Sequence, residues 1–144
     1  MINKVIEKKK YLPSGHLVLQ TLAMPSNTNP NGDIFGGWLM SQMDIGGAIL
    51  AKEISGGRVV TVRVYDMIFL KSVSVGDIVS CYAKCIKIGT SSIVINIEIW
   101  IKKLCFKTPG QFYCTAEAVF IYVAVDKKGK SRALLPMSII SANI

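Results

Sequence analysis

The chain carries one histidine, His16, so acid–base chemistry built on histidine pairs is all but excluded. It also lacks an uninterrupted apolar run of about 18 residues, the length a membrane-crossing helix needs. Asp44, Asp66 and the charges of the later segments break every candidate, and no stable membrane insertion is expected. Zinc-type spacing is missing too. Four cysteines (Cys81, Cys85, Cys105, Cys114) include no CxxC pair and have no histidine nearby, so they are expected to be reduced thiols, with no metal site. There is no G-x-S-x-G elbow, no phosphate-binding G-x-x-x-x-G-K-[ST], no H-E-x-x-H and no dinucleotide G-x-G-x-x-G. A serine triad would have to recruit His16, without local support. Acidic residues are scarce: nine Asp plus Glu against seventeen Lys plus Arg, a formal net charge of +8. That balance attracts anions. Nucleic acid, a phosphate-bearing cofactor, or simple solubility of an apolar protein would each account for it, although no DNA-reading helix is visible.

What is present fits one domain of 144 residues, long enough to bury a core without disulfides or structural metal. An apolar share of 51% points to surfaces hidden in an oligomer. The N-terminal stretch MINKVIEKKKYLPSG is basic and lacks the apolar core of a secretory leader, so a cytoplasmic location is expected.

Residues 1–15 read as a lead-in, with Pro13-Ser14-Gly15 as a turn signal. HLVLQTLAM reads as a first strand, and Pro25 to Asp33 as a polar loop rich in Asn, Gly and Pro. A helix is expected from about Phe35 to Ile54, apolar nearly all round and therefore buried on most sides, with Gly56 and Gly57 stopping it. Gly46 and Gly47 inside it cost about 1 kcal/mol each relative to alanine, tolerated where another backbone comes close. The period then changes to two. RVVTVRVYDMIFL, IVSCYAKCIKI, the isoleucine-alternating stretch Ile93 to Ile101, and YCTAEAVFIYVAV read as four strands, with turns at Val75-Gly76-Asp77, Gly89-Thr90-Ser91 and Asp126 to Gly129. One helix must cover one antiparallel sheet, which gives an α+β fold with the sheet curled around the helix.

Asp44 is the only charge between Ile34 and Ala51. A carboxylate in such a helix needs either compensation or a function. The first helical turn, at Gly36 and Gly37, presents unpartnered N–H groups and a partial positive charge suited to a polarised carbonyl or an oxyanion. Asp44 lies about 10 Å further along at 1.5 Å per residue. Two antiparallel copies of the helix across a dimer would bring one chain's Asp44 to the other's helix start. A structural acid bonded to Ser41 or to a tyrosine is an equally good reading of Asp44 on physical grounds alone. Asp33 is expected to cap the helix. Lys127, Lys128, Lys130 and Arg132 form a basic turn, which either solvates a hairpin or binds an anion.

The run NGDIFGGWLMSQMDIGGAILAKEISGGRVVTV, with FLKSVSVGDIV, GTSSIVINIEIW and AVDKKGKSRALLP, resembles the YciA-type acyl-CoA thioesterases of the hotdog fold from about Thr21 to Pro136. The resemblance implies a hotdog domain over 16–136 with a tail at 137–144, and an active homodimer assembled as a trimer of dimers. The implied activity is hydrolysis of acyl-CoA to free acid and CoA, with CoA part of substrate and product and no further cofactor. Asp44 matches the family's catalytic aspartate, as general base or as nucleophile; Gly36 and Gly37 match its oxyanion segment and Asn31 its polar loop residue. Arg58, Lys71, Thr90, Ser91, Ser92 and Arg132 sit where the fold commonly holds CoA. Arg63, Tyr65, Asp66 and Ser72 depart from the family pattern, at the CoA groove or the oligomer contact. A non-catalytic acyl-CoA binder is the alternative within the fold. A hydratase is disfavoured, because those relatives pair an acid with a histidine.

Overall fold

The structure is a computed structural model, and it describes residues 12–104, 107 and 110–135. The expectations for residues 1–11, for Cys105 and for the 137–144 tail lie outside the described residues. Five strands, β1 (His16–Leu22), β2 (Val59–Phe69), β3 (Ile78–Ile88), β4 (Ser92–Lys102) and β5 (Phe112–Ala124), form one open antiparallel sheet in the order β1-β3-β4-β5-β2. One helix, α1 (Gly36–Ser55), lies across it. The order of elements matches that read from the periodicity.

β4 sets the core. Ile93, Ile95, Ile97, Ile99 and Ile101 are all fully buried beneath α1, which inserts Leu39, Met43, Leu50, Ala51 and Ile54 against them. At roughly 25 cal/mol per Å² of apolar surface removed from water, this contact is the main term holding helix to sheet. The opposite face of β4 is covered as well at one end. Glu98 and Trp100 are 0% exposed; the Trp100 ring lies 4.8 Å from that of Phe112, and Ser14 donates its N–H to Glu98 Oε1 at 3.0 Å.

The helix corrects one expectation. Met40, Ile45 and Ile49 are 41%, 50% and 37% exposed, so a single copy of the sheet covers one face of α1 and leaves an apolar arc bare. Gly46 and Gly47 correct another: side chains, not backbone, close on them. A Cβ at Gly46 would meet Cys81 Sγ at 2.7 Å, and one at Gly47 would collide with the Tyr122 hydroxyl and Ile97. The helix stops at Gly56, whose φ of 69° is the left-handed conformation that glycine adopts without strain.

β2 is an edge strand. Its alternation fails where the pairing to β5 slips, between Thr61 and Arg63 and again between Tyr65 and Ile68. Asp66 stands at the second slip with φ 54°, the only described non-glycine residue at positive φ. The next turn is tied by Asp77, which accepts the Ser74 N–H at 2.9 Å and the Lys103 ammonium at 2.7 Å.

Candidate active site

Asp44 lies half-buried in the middle of α1, beside β2. Thr61 donates its hydroxyl to Asp44 Oδ1 at 2.6 Å. The Tyr122 hydroxyl lies 3.2 Å from the same oxygen and 3.0 Å from the main-chain carbonyl of Asp44. Thr61 and Tyr122 are directly opposed across the β2–β5 pairing, so one cross-strand pair delivers both donors. Ser41 turns away and donates to Trp38 O at 2.6 Å. Burial pushes the Tyr122 phenol well above its usual value, aided by the charge of Asp44 and the hydrogen bond to it, so it stays a donor. Among the described residues Oδ2 has no protein partner. A carboxylate tethered through one oxygen and open at the other can take a proton from water or attack an electrophile.

The helix start is a second feature. Phe35 is the N-cap and no side chain caps the helix, so the expected capping by Asp33 does not occur. The loop is organised by Asn29, whose Oδ1 accepts the N–H groups of Asn31 at 2.9 Å and Asp33 at 3.2 Å. Among the described residues the first-turn N–H groups of Gly36 and Gly37 therefore have neither intrahelical nor side-chain acceptors. Gly36 borders a cleft of about 330 Å³ whose lining also includes Asn29, Asp33, Leu39, Phe69 and Lys71. Asn31 is exposed and does not line this cleft; Asn29 does. Gly37 and Asp44 stand two turns apart on one continuous helix, about 10 Å at the helical rise.

A third feature lies at the other end of α1. Gly56, Gly57, Arg58, Asp126, Lys127 and Arg132 border a cleft of about 470 Å³. Arg132 donates both terminal nitrogens to Ser55 O at 3.2 Å and its Nε to Val125 O at 3.1 Å, placing a cation on the negative end of the helix. The Thr90–Ser92 turn is tied to the same end: Ser91 O accepts the Ala124 N–H at 2.9 Å and Thr90 O accepts the Leu134 N–H at 2.8 Å. The basic turn is built on Asp126 Oδ1, which accepts the N–H groups of Lys128 and Lys130 and leaves Lys127, Lys128 and Lys130 exposed. Among the described residues no three His, Cys, Asp or Glu side chains lie together as a metal site.

Residues 31–104 match the family model described as "Thioesterase superfamily". The chain belongs to that superfamily. It is 69% identical to the acyl-CoA thioester hydrolase YciA of Salmonella typhimurium over 122 residues, covering 85% of this chain and 92% of that one. It superposes on the aspartate-to-alanine mutant of a hexameric broad specificity acyl-coenzyme A thioesterase with TM-score 0.84 and 54% identity, covering 90% of this chain and 99% of that one. A hexameric hotdog fold thioesterase of Campylobacter jejuni aligns with TM-score 0.83 and 37% identity, covering 89% and 95%. The five-stranded sheet lying against one long helix is the hotdog fold.

Within this thioesterase fold the residues singled out from sequence fall into three groups. Arg58, Thr90, Ser91, Ser92 and Arg132 gather at the C-terminal end of α1. Lys71 lies apart from them, at the helix start, with its ammonium 4.6 Å from the centre of the Tyr113 ring. Asp44 stands between the two ends. Thr61, Tyr122 and Asn29 were not singled out. Thr61 and Tyr122 belong to no sequence motif, and only the β2–β5 register brings them to Asp44.

Proposed function

We propose that this thioesterase-superfamily chain hydrolyses acyl-CoA, with Asp44 as the group that activates water. The observation that carries this reading is the Asp44 carboxylate, held through Oδ1 by Thr61 and Tyr122, with Oδ2 left without a partner among the described residues. Oδ2 takes a proton as the water oxygen bonds to the thioester carbonyl carbon. The carbonyl electrons move onto oxygen, and the resulting oxyanion is stabilised by the N–H groups of Gly36 and Gly37. Collapse of the tetrahedral species breaks the C–S bond; CoA leaves as thiolate or takes the proton from Asp44, and the free acid remains. The competing route has Oδ2 attack the carbonyl itself, giving a mixed anhydride that water then opens. CoA is part of substrate and product, and no other cofactor enters this reading.

Because Gly37 and Asp44 are about 10 Å apart on one helix, the working site is placed between two protomers. The unpaired edge of β2 and the bare arc of Met40, Ile45 and Ile49 are suited to such an interface. A trimer of dimers accords with the hexameric relatives. Arg58, Arg132 and the Thr90–Ser92 turn are assigned to the CoA portion, with Lys71 as a contact nearer the acyl end. No helix among the described residues is long and apolar enough to cross a membrane, and the reaction is placed in the cytoplasm, where acyl-CoA is made and used.

The test is thiol release from a panel of acyl-CoAs of increasing chain length, for the wild type and for Asp44→Ala, with oligomeric state measured by light scattering. Turnover is expected from an assembled protein and a loss of at least about 100-fold in the variant. Wild-type turnover in Asp44→Ala would sink the mechanism. Tight CoA binding without thiol release would favour the non-catalytic alternative, and a fully active monomer would remove the shared site.

A further inference from the structure

We infer that Tyr122 is a positioning residue for hydrolysis: its buried hydroxyl orients the Asp44 carboxylate so that Oδ2 alone faces the reacting water. This rests on the reading of Asp44 as the water-activating group.

Tyr122 is completely buried. Its ring lies parallel to that of Phe120, with centroids 6.1 Å apart, and its hydroxyl end points at Gly47 of α1 beside Ile97. A core position of this kind is filled more cheaply by phenylalanine, which packs the same volume with no hydroxyl to desolvate. The hydroxyl is there, and it is aimed at Asp44, the one charged side chain between Ile34 and Ala51. It also requires a glycine in the middle of α1, where glycine is a poor helix former. A Cβ at Gly47 would occupy the space of the hydroxyl. Two locally unfavourable residues therefore meet at one contact, and that contact is with Asp44.

The geometry says what the contact does. The Tyr122 oxygen is within hydrogen-bond distance of both the main-chain carbonyl and Oδ1 of the same residue. One phenolic proton shared between them ties the side chain to its own backbone and restricts rotation about the first torsion. The terminal torsion of an aspartate is broad and nearly two-fold, so an untethered carboxylate exchanges its two oxygens freely. Thr61 donates to the same Oδ1. Two donors converging on one oxygen remove that exchange, and Oδ2 is left as the base. The advantage is orientation settled before substrate arrives, and small misplacements of a catalytic group can cost on the order of 100-fold in rate.

The test is a double-mutant cycle on the assembled enzyme with a saturable acyl-CoA. Tyr122→Phe keeps the ring and removes the oxygen; kcat is expected to fall about 10- to 100-fold while KM stays within about twofold. In an Asp44→Ala background the same change should leave the residual rate unaltered, because a residue acting through Asp44 has nothing left to act on. If Tyr122→Phe does not assemble, Gly47→Ala replaces it. That variant displaces the same hydroxyl, with the same fall in kcat and the same silence in the Asp44→Ala background expected. A kcat within twofold of wild type would overturn the inference, as would a further fall in the Asp44→Ala background. Asp44→Ala retaining full turnover would instead refute the assignment of Asp44, a separate outcome read from the single variant.

Discussion

Substituting Gly47 by alanine sets two physical effects against each other. Helix propensity alone favours alanine in a helix interior by about 1 kcal/mol. Against it stands the close approach of β4 and β5: a Cβ at residue 47 would fall on the Tyr122 hydroxyl and on the Ile97 methyl, both fully buried. Forcing one extra carbon into a filled core costs about 1–3 kcal/mol. Displacing the hydroxyl also weakens the hydrogen bond to Asp44, about another 1 kcal/mol. The unfavourable terms win, and a net loss of about 1–3 kcal/mol is expected. For a chain of this size each kcal/mol moves Tm by about 2–4 °C, so the variant should melt roughly 3–10 °C below wild type. Gly36→Ala is the control, since its added Cβ would lie 3.7 Å from the Phe69 ring, an ordinary contact; its Tm should match wild type or exceed it slightly. The assay is thermal unfolding followed by circular dichroism at matched protein concentration, because assembly makes Tm concentration-dependent. A Tm for Gly47→Ala at or above that of wild type would show that propensity outweighs the contact, and the account of why this helix contains a glycine would be wrong.

Two further outcomes are expected at other sites. Arg58→Ala should raise KM for acyl-CoA about 5- to 10-fold with kcat unchanged, since it removes uniform binding, whereas Arg132→Ala should also lose about 1 kcal/mol of stability because its guanidinium holds the carbonyl of Ser55 at the helix end; steady-state kinetics beside thermal melts separates the two. Desolvation pulls the Lys103 ammonium down, but the hydrogen bond and charge of Asp77, together with Tyr113, outweigh it and leave it above its ordinary value of 10.5. A raised folded-state value contributes stability that is fully present below pH 10.5 and is lost as pH rises through the folded-state value. The gap in urea midpoint between wild type and Lys103→Met should therefore be open at pH 9 and narrow near pH 11, and a gap unchanged across that range would count against it.

The parts of the fold that were legible in the sequence are those set by local periodicity. The isoleucine alternation of β4, the glycine stop of α1 and the turn at Gly76 and Asp77 depend on near neighbours, and the structure reproduces them. Asp44 stands out for a similar reason, as the only charge between Ile34 and Ala51. What failed depended on distant surfaces. The helix looks buried all round because its composition is, yet burial also needs something to cover each face, and one sheet covers only one. Asp33 looked like a cap, but the Thr28–Ile34 bridge and the Asn29 side chain carry the chain past it, so that Phe35 takes the capping position. Thr61 and Tyr122 were invisible as a pair because register across β2 and β5 links residues 61 apart in sequence, with a slip immediately beside the pair. Lys71 is at the opposite end of α1 from the other CoA candidates because β2 runs the length of the sheet before the chain turns.

The strand order has a consequence for how the chain folds. β3, β4 and β5 follow one another in sequence and in space, so they can zip as successive hairpins with short loops to close. β2 does not join its sequence neighbour; it waits for β5 and pairs across the whole meander, the costlier closure. During N- to C-terminal synthesis the apolar helix and its aspartate emerge well before the strand bearing Tyr122 exists, exposed and in need of cover. The carboxylate is thus present early and oriented late. Recovery of enzymatic rate on refolding should trail the appearance of sheet structure, because the last strand to dock is the one that completes the grip on Asp44.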